Sequence, residues 1–183
     1  MSVKKNGSGM RETKKLTVSA LMCALTVVLL LIASFLGDID LTILMLSSFC
    51  MVFVYLEIGA PYTYLTWVVS TLLTLLIFPA RYFWILYFLL FGIYPILKGY
   101  FERLARPLWL ITKLAYFNAV LWLAIFLLRL VLGVDLLDGD MVWWRVLLCV
   151  LANVSFVAYD FFMTLVVRIY VSKYRERIKH LLR

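Results

Sequence analysis

The sequence predicts an all-α membrane protein in which six helices cross the bilayer as a bundle. Of the 183 residues, 66% are hydrophobic and only 15% are charged, and the apolar runs are long and continuous. Runs of about 18 or more apolar residues mark membrane spans, because backbone polar groups in lipid must be satisfied within a helix or a closed barrel. The runs lack the short alternating segments of barrel strands, so the spans are predicted to be helical.

Charged residues and helix breakers divide the apolar sequence into six predicted spans. Their limits are 16–36, 41–58, 63–78, 82–99, 112–133 and 142–170. The breakers between them are Gly37, Gly59, Pro61, Pro79, Pro107, Gly133 and Gly139. Pro95 lies inside the fourth span and is expected to kink it. Residues 1–13 are predicted to form a cytoplasmic tail, residues 14–172 the transmembrane domain, and residues 173–183 a basic cytoplasmic tail.

Positive charge is concentrated on one side of the predicted bundle, in the two tails and in the connector after span four. Because cytoplasmic loops carry an excess of Lys and Arg, both termini of this multi-pass protein are predicted to be cytoplasmic. This placement explains the net charge of +8 without a nucleic-acid partner. The connector at 99–112 mixes basic and aromatic residues and is expected to form a short amphipathic helix on the inner surface of the bilayer.

Patterns for catalysis and metal binding are absent from the sequence. His180 is the only histidine, which excludes an HExxH metal site and a Ser-His-Asp triad. Walker A and GxSxG patterns are also missing. Cys23, Cys50 and Cys149 lie far apart in apolar runs and are expected to be small buried hydrophobes. We therefore predict no enzyme activity, no metal site and no cofactor.

The first span carries a stripe of mostly small side chains. Ala20, Cys23, Ala24 and Val27 follow at i, i+3, i+4 and i+7 and share one helical face. Three interpretations are open: a signal peptide, an ordinary membrane anchor, or a face that binds a partner helix. Against the first, an apolar region of about 20 residues exceeds the ~7–15 of signal peptides. In favour of the last, helices in lipid pair by close backbone approach across small residues.

Polar and aromatic residues in the predicted outer half are candidate ligand contacts. They are Arg81, Trp84, Arg129, Trp144, Arg145 and Asn153. The arginines come from spans four, five and six, and arginine beside aromatic rings can hold an anionic or planar ligand. Two interpretations remain open, because Arg and Trp also anchor helix ends at the membrane interface. Asn153, near the midplane, is expected to form the floor of the pocket or to hydrogen-bond to a neighbouring helix.

Asp160 lies inside the last span and needs a polar partner, because a charge within the bilayer is costly. Lys113 and Asn118 on span five lie at a matching depth and are the expected partners. The arrangement is interpreted as a structural contact or as part of a proton relay.

The layout of the chain resembles the S component, the substrate-binding subunit, of energy-coupling factor transporters. The resemblance rests on the basic N-terminus, the Ala20-x-x-x-Ala24 pattern, six spans in a short chain and a basic C-terminal helix. It implies that Ala20 and Ala24 contact a transmembrane coupling subunit and that ATPase subunits of the same complex supply the energy. It also implies that a small molecule, such as a vitamin or its precursor, binds in the outward half beneath the loop at 37–40.

Two other functions remain open. A noncatalytic membrane scaffold, such as a morphogenesis protein resembling the rod-shape factor MreD, could use the same helix stripe without a ligand. A small secondary carrier is the second alternative. The sequence shows no repeated half and no paired broken helices of the kind found in many carriers, and Asp160 alone gives little basis for ion coupling.

Overall fold

The computed structural model of the chain describes residues 12–36, 40–79, 81–102, 106–133 and 142–174. In these residues every regular element is helical, and six helices are long and apolar enough to cross a membrane. The predicted all-α bundle of six spans is therefore confirmed. Three predicted segments lie wholly or mostly outside the described residues: the N-terminal tail up to residue 11, the loop at 37–39 and the basic tail from residue 175.

Five of the six helices begin and end within a few residues of the predicted limits, and the fifth begins earlier. The helices are α1 (Glu12–Phe35), α2 (Asp40–Glu57), α3 (Ala60–Ile77), α4 (Phe83–Phe101), α5 (Arg106–Leu132) and α6 (Val142–Ile169), which continues as the π-helical turn Tyr170–Tyr174. Residues 99–101 belong to α4 and residues 106–112 to α5, so the predicted separate amphipathic helix at 99–112 is wrong. Glu102 at the end of α4 pairs with Lys98 and Lys113. Both lysines contact Asp160 on α6, so the two ends of the stretch belong to spanning helices that pack against the bundle.

Successive helices alternate in direction, which gives the bundle a near end, where α1 begins, and a far end, where α1 ends. At the far end, Tyr82 donates a hydrogen bond to Asp40 at the start of α2. At the near end, the Tyr170 hydroxyl donates to Glu57 Oε1 across 3.2 Å and joins the last described turn to the end of α2.

Small hydroxyl side chains line the contacts among the first three helices. All the buried residues of α3 are Ser or Thr, and they recur at helical spacing: Thr63, Thr66, Ser70, Thr71 and Thr74. Each donates to the carbonyl four residues earlier, which for Thr63 is that of Gly59, just before α3. The hydroxyls are thus satisfied within their own helix, and their small size lets the backbones of neighbouring helices approach closely.

The fourth span, α4, is interrupted near its middle. The π-helical turn Tyr87–Phe91 and a turn at residues 92–93 separate the α-helical segments Phe83–Leu86 and Tyr94–Phe101. Pro95 lies in the first turn of the second segment, where a backbone N–H would have no partner within the helix. The chain therefore continues through Pro95 without ending the span, as predicted.

Aromatic donors on neighbouring helices satisfy two carbonyls of the π-helical turn. Trp67 Nε1 on α3 donates to the Phe88 carbonyl across 3.1 Å. The Tyr116 hydroxyl on α5 donates to the Leu89 carbonyl across 2.6 Å. Irregular backbone is tolerated at membrane depth where the surrounding protein supplies such partners.

The last two helices lie at the edge of the bundle. Half of the residues in the most apolar stretch of α4 are buried, against 17% in α5 and 22% in α6. Among residues 143–155 of α6, no described side chain is buried, and the buried residues begin at Phe156. The near half of α6 therefore packs on the bundle, whereas its far half leaves an open space beside α5.

Candidate functional site

A cavity of about 680 Å³ lies between α5 and α6 in the far half of the bundle. Its described lining residues are Trp122 on α5 and, on α6, Arg145, Val146, Cys149, Val150, Asn153 and Val154. The α6 residues recur every four positions in two adjacent rows, 145, 149, 153 and 146, 150, 154. One face of α6 therefore forms one side of the cavity. The volume is within the ~300–1,000 Å³ range of small-molecule sites. We call this cavity the α5–α6 cleft.

Arg145 and Asn153 put polar groups at opposite ends of the α6 wall. They are eight residues apart, which corresponds to about 12 Å at 1.5 Å per residue. Arg145 is exposed and lies toward the far end, whereas Asn153 is half-buried near the middle of the bundle. The cleft therefore combines a cation at its outer opening, an amide at its floor and an apolar wall between them.

The floor of the cleft is a pair of asparagine amides. Asn118 on α5 and Asn153 on α6 bond reciprocally, with N–O distances of 2.9 and 3.2 Å. Their remaining N–H groups donate to the carbonyls of Leu114 and Cys149, one turn earlier in each helix. Asn153 thus has both of its expected roles, as floor and as interhelix bond. Asn118, expected beside Asp160, is instead the partner of Asn153.

Below this floor, an ionic cluster joins α4, α5 and α6 in the near half. Asp160 accepts bonds from Lys98, from Lys113 Nζ at 2.9 Å and from the Tyr94 hydroxyl at 2.6 Å. Lys98 Nζ also donates to the Asp160 carbonyl across 3.0 Å and to Thr164 Oγ1 across 2.7 Å. The predicted contact between Lys113 and Asp160 is confirmed, and Lys98 is a second cation that the prediction did not assign.

Glu102 completes the ionic cluster at the near end of the bundle. Its Oε1 lies 3.1 Å from Lys98 Nζ and 3.0 Å from Lys113 Nζ. The Glu102 side chain is 42% exposed, whereas the Lys113 side chain is 1% exposed. Two lysines and two carboxylates balance in formal charge, and each has a paired partner. This closed set of contacts favours a structural role for Asp160.

One further contact lies between the ionic cluster and the amide pair. The rings of Phe117 on α5 and Phe156 on α6 stack with centroids 4.3 Å apart and an interplanar angle of 12°. Ionic cluster, ring stack and amide pair therefore follow one another along the two helices. They close the near halves of α5 and α6 together and leave the far halves apart, which is the physical origin of the cleft.

A second open surface, of about 280 Å³, lies between α1 and α3. Its described lining residues are Leu16, Ser19, Ala20, Cys23 and Ala24 on α1 and Leu65, Thr66, Val69 and Leu73 on α3. We call it the α1–α3 groove. Three of the four residues of the predicted partner-binding stripe therefore line one groove, in which Ala20 and Ala24 are exposed. Val27, the fourth, is 8% exposed and packs inside the bundle.

The other predicted ligand residues do not line the α5–α6 cleft. Arg81 and Arg129 are exposed toward the far end, and Trp144 is exposed on α6. Trp84 is half-buried, and its Nε1 donates to the Pro79 carbonyl across 3.3 Å. The expected convergence of three arginines on one cavity is thus limited to Arg145. The positions of the other four residues fit the alternative interpretation, in which they anchor helix ends at the membrane interface.

Sequence reasoning missed the apolar walls of the cleft. Trp122 lies well inside span five, away from the span ends where tryptophan serves as an interface anchor. Val146, Val150 and Val154 recur every four residues and so share one face of α6. Both signals were present in the sequence, but a row of valines is also what any lipid-facing helix carries.

Comparison with known proteins finds no matching family model, no matching curated protein and no matching solved structure. Within the described part of the chain, no group of three or more His, Cys, Asp or Glu side chains is placed to hold a metal ion. Inferences about function therefore rest on the membrane bundle, the cleft, the groove and the ionic cluster.

Proposed function

We propose that this chain is the membrane-embedded substrate-binding subunit of an ATP-driven importer of the energy-coupling factor type, in a bacterial cytoplasmic membrane. The observation that carries the proposal is the separation of two open surfaces. The α5–α6 cleft lies in the far half of the bundle, whereas the α1–α3 groove lies on another helix pair and reaches toward the near end. A ligand and a partner subunit can therefore occupy the chain at the same time.

The far end faces outward in this proposal, in keeping with the predicted cytoplasmic termini. The α5–α6 cleft then takes up a small molecule from outside the cell. The amide pair and the ionic cluster hold its two walls together from below. A bound ligand thus contacts helices that are fixed to the rest of the bundle, so binding can be transmitted beyond the cleft.

The α1–α3 groove receives a helix of a transmembrane coupling subunit. Ala20 and Ala24 are exposed there and present only methyl groups, which lets a foreign backbone come close. ATPase subunits of the same complex hydrolyse ATP, since this sequence has no Walker A pattern.

Affinity purification from native membranes tests the docking part of the proposal. We expect the wild-type chain to bring down a membrane subunit and ATPases. Replacing Ala20 and Ala24 by Phe fills the groove and is expected to reduce this recovery at least tenfold, because a partner helix can no longer approach. The matched control replaces Val28 and Ile32, which are 47% and 41% exposed on α1 and do not line the groove, by Phe.

The same purification separates the proposal from its rivals. Recovery of morphogenesis proteins without ATPases would support a scaffold and contradict the transport role. ATPase recovery that is unchanged in the Ala20 and Ala24 variant would show that the groove is not the docking surface.

A further inference from the structure

We infer that the helix which docks in the α1–α3 groove carries an uncharged carboxamide side chain, Asn or Gln, that hydrogen-bonds to Ser19. The inference rests on the proposed function, because it names the chemistry of the partner at the docking surface. Two features of the groove carry it: the Ser19 hydroxyl has no partner, and none of the described lining residues is charged.

Ser19 is the exception among the buried serines and threonines of the described chain. It is 2% exposed, and its Oγ has no hydrogen-bond partner. Every other buried Ser or Thr in the described ranges donates to a carbonyl three or four residues earlier, as Thr26 does to Met22 across 2.8 Å. A buried polar group without a partner is costly, so the Ser19 hydroxyl has a bond to gain from an incoming group.

Ser19 lies between the two sides of the groove. Ala20 and Ala24 are exposed on the α1 side, and Leu65 and Val69 are exposed on the α3 side. Ser19 lines the same groove but is buried, so it belongs to the floor. Because a serine hydroxyl turns about a single side-chain torsion, it can swing toward a group that enters the groove.

The groove suits a side chain of a neighbouring helix better than a free small molecule. Its volume of about 280 Å³ lies below the ~300–1,000 Å³ of small-molecule sites. All its described lining residues belong to the spanning helices α1 and α3, so the occupant also lies within the membrane. The small Ala20 and Ala24 side chains let the backbone of such a helix come close enough for one of its side chains to reach the floor.

The lining of the groove selects an uncharged hydrogen-bonding group. With no charged residue among the described lining, a charged side chain of the partner would be buried without a counter-ion. The Ser19 hydroxyl can donate and accept, and a carboxamide does both from one side chain. Thr66, the other hydroxyl residue of the described lining, already donates to the Tyr62 carbonyl across 2.8 Å, so its oxygen is left as an acceptor. Asn or Gln therefore matches the polar groups of the floor.

Binding of synthetic membrane helices to the full chain in phosphatidylcholine nanodiscs tests the inference. The reference peptide is a leucine-rich helix of about 20 residues with a Gly-x-x-x-Gly face. Further peptides replace one leucine by asparagine at successive positions of the turn beside the first glycine. We expect at least one asparagine peptide to bind the wild-type chain about threefold more tightly than the reference, the size of an average interhelical hydrogen bond in lipid.

Variants of the chain assign this preference to Ser19. Ser19→Ala is expected to bind the asparagine and leucine peptides equally, because the pair of changes isolates the hydrogen bond. The matched control, Ser34→Ala, changes a buried α1 serine that does not line the groove and donates to the Leu31 carbonyl across 2.8 Å. It is expected to keep the preference. Replacing Ala20 and Ala24 by Phe is expected to abolish binding of every peptide.

Unfolding in dodecyl sulfate micelles separates docking from a structural role. Ser19→Ala is expected to unfold at the same or a higher dodecyl sulfate content than the wild type, because Ser19 makes no bond within the chain. A lower content would reveal an internal bond and overturn the inference. An asparagine preference that persists in Ser19→Ala, or no preference in the wild type, would also overturn it. Self-association of the chain that is lost when Ala20 and Ala24 become Phe would make a second copy the occupant, with the same consequence.

Failure of this inference differs from failure of the proposed function. If no asparagine peptide is preferred while the ATPases still copurify, the partner chemistry is wrong and the subunit role stands. If the preference is found and depends on Ser19 but no ATPase copurifies, the helix chemistry is supported and the transport role is overturned.

Discussion

Asp160 is the residue on which the contact among α4, α5 and α6 depends most. It is 8% exposed, and its carboxylate accepts bonds from Lys98, Lys113 and Tyr94. The cations are themselves buried, so each needs this anion in place of the water that it has lost. The geometry therefore predicts a large loss in the free energy of unfolding when the Asp160 carboxylate alone is removed.

We predict that Asp160→Asn lowers the free energy of unfolding by about 3–5 kcal/mol, because Lys98 and Lys113 then lie buried without their central anion. Unfolding in mixed micelles of increasing dodecyl sulfate content, followed by circular dichroism, measures the change. Combining Asp160→Asn with Lys113→Met is expected to cost less than the two single losses together, since the second change removes one stranded charge. An Asp160→Asn protein as stable as wild type would contradict the clustered arrangement.

At the residue scale, the sequence predicts how deep a side chain lies in the bilayer better than it predicts which residues that side chain contacts. Counting residues from the span ends gave matching depths for Asp160 and Lys113, and the structure pairs them. The same counting made Asn118 an equal candidate, although it faces Asn153. The sequence does not single out Lys98, because depth in the bilayer does not tell which helices are neighbours.

The interrupted helix α4 depends on a close approach to α3. A Cβ at Gly92 would overlap the ring of Trp67 and would also lie 2.9 Å from its Nε1. That ring cannot move freely, since its Nε1 donates to the Phe88 carbonyl and it stacks on the Phe88 ring at 4.7 Å. Gly92 is therefore the position at which α3 fits against the π-helical turn.

We predict that Gly92→Leu destabilises the protein by about 1–3 kcal/mol, because the added side chain forces Trp67 out of its bonded position. The same micelle unfolding assay measures the loss. Adding Trp67→Leu makes room for the new side chain, so the double variant is expected to lose less stability than the sum of the two single losses. Strict additivity of the two changes would show that the residues do not meet.

At the element scale, hydropathy predicts the helices because a span must be long, apolar and bounded by polar residues. It fails at 99–112, where the mixture of charged and aromatic residues predicts an interface helix. Glu102 instead pairs with Lys98 and Lys113, which contact Asp160, and the ends of the stretch continue the spanning helices α4 and α5. The hydroxyl face of α3 has a signal in the sequence, because Thr63, Thr66, Ser70 and Thr74 recur at spacings of three and four. The π-helical turn had no such signal, since Tyr87–Phe91 is as apolar as its surroundings.

The whole molecule combines a closely packed body, α1 to α4, with two further helices that differ in how they join it. Helix α5 packs along the length of α4, whereas the described side chains of α6 are buried only from Phe156 onward. This asymmetry creates the α5–α6 cleft, and it could not be predicted from the sequence. Convergence of Arg81, Arg129 and Arg145 would have required the order of the helices around the bundle. Neither charge distribution nor hydropathy contains that order. Of the six predicted ligand residues, Arg145 and Asn153 therefore line the cleft and the other four do not.

A ligand-binding role for the α5–α6 cleft is tested most directly by purifying the chain from native membranes and denaturing it. The mass of any small molecule released is then measured. We predict a small molecule in stoichiometric amount from the wild-type chain and none from Val150→Trp, in which the cleft is filled. The control Leu151→Trp changes an exposed α6 residue that does not line the cleft and is expected to release as much as the wild type. Release of no small molecule from the wild type, or of equal amounts from Val150→Trp, would contradict a ligand-binding role for the α5–α6 cleft.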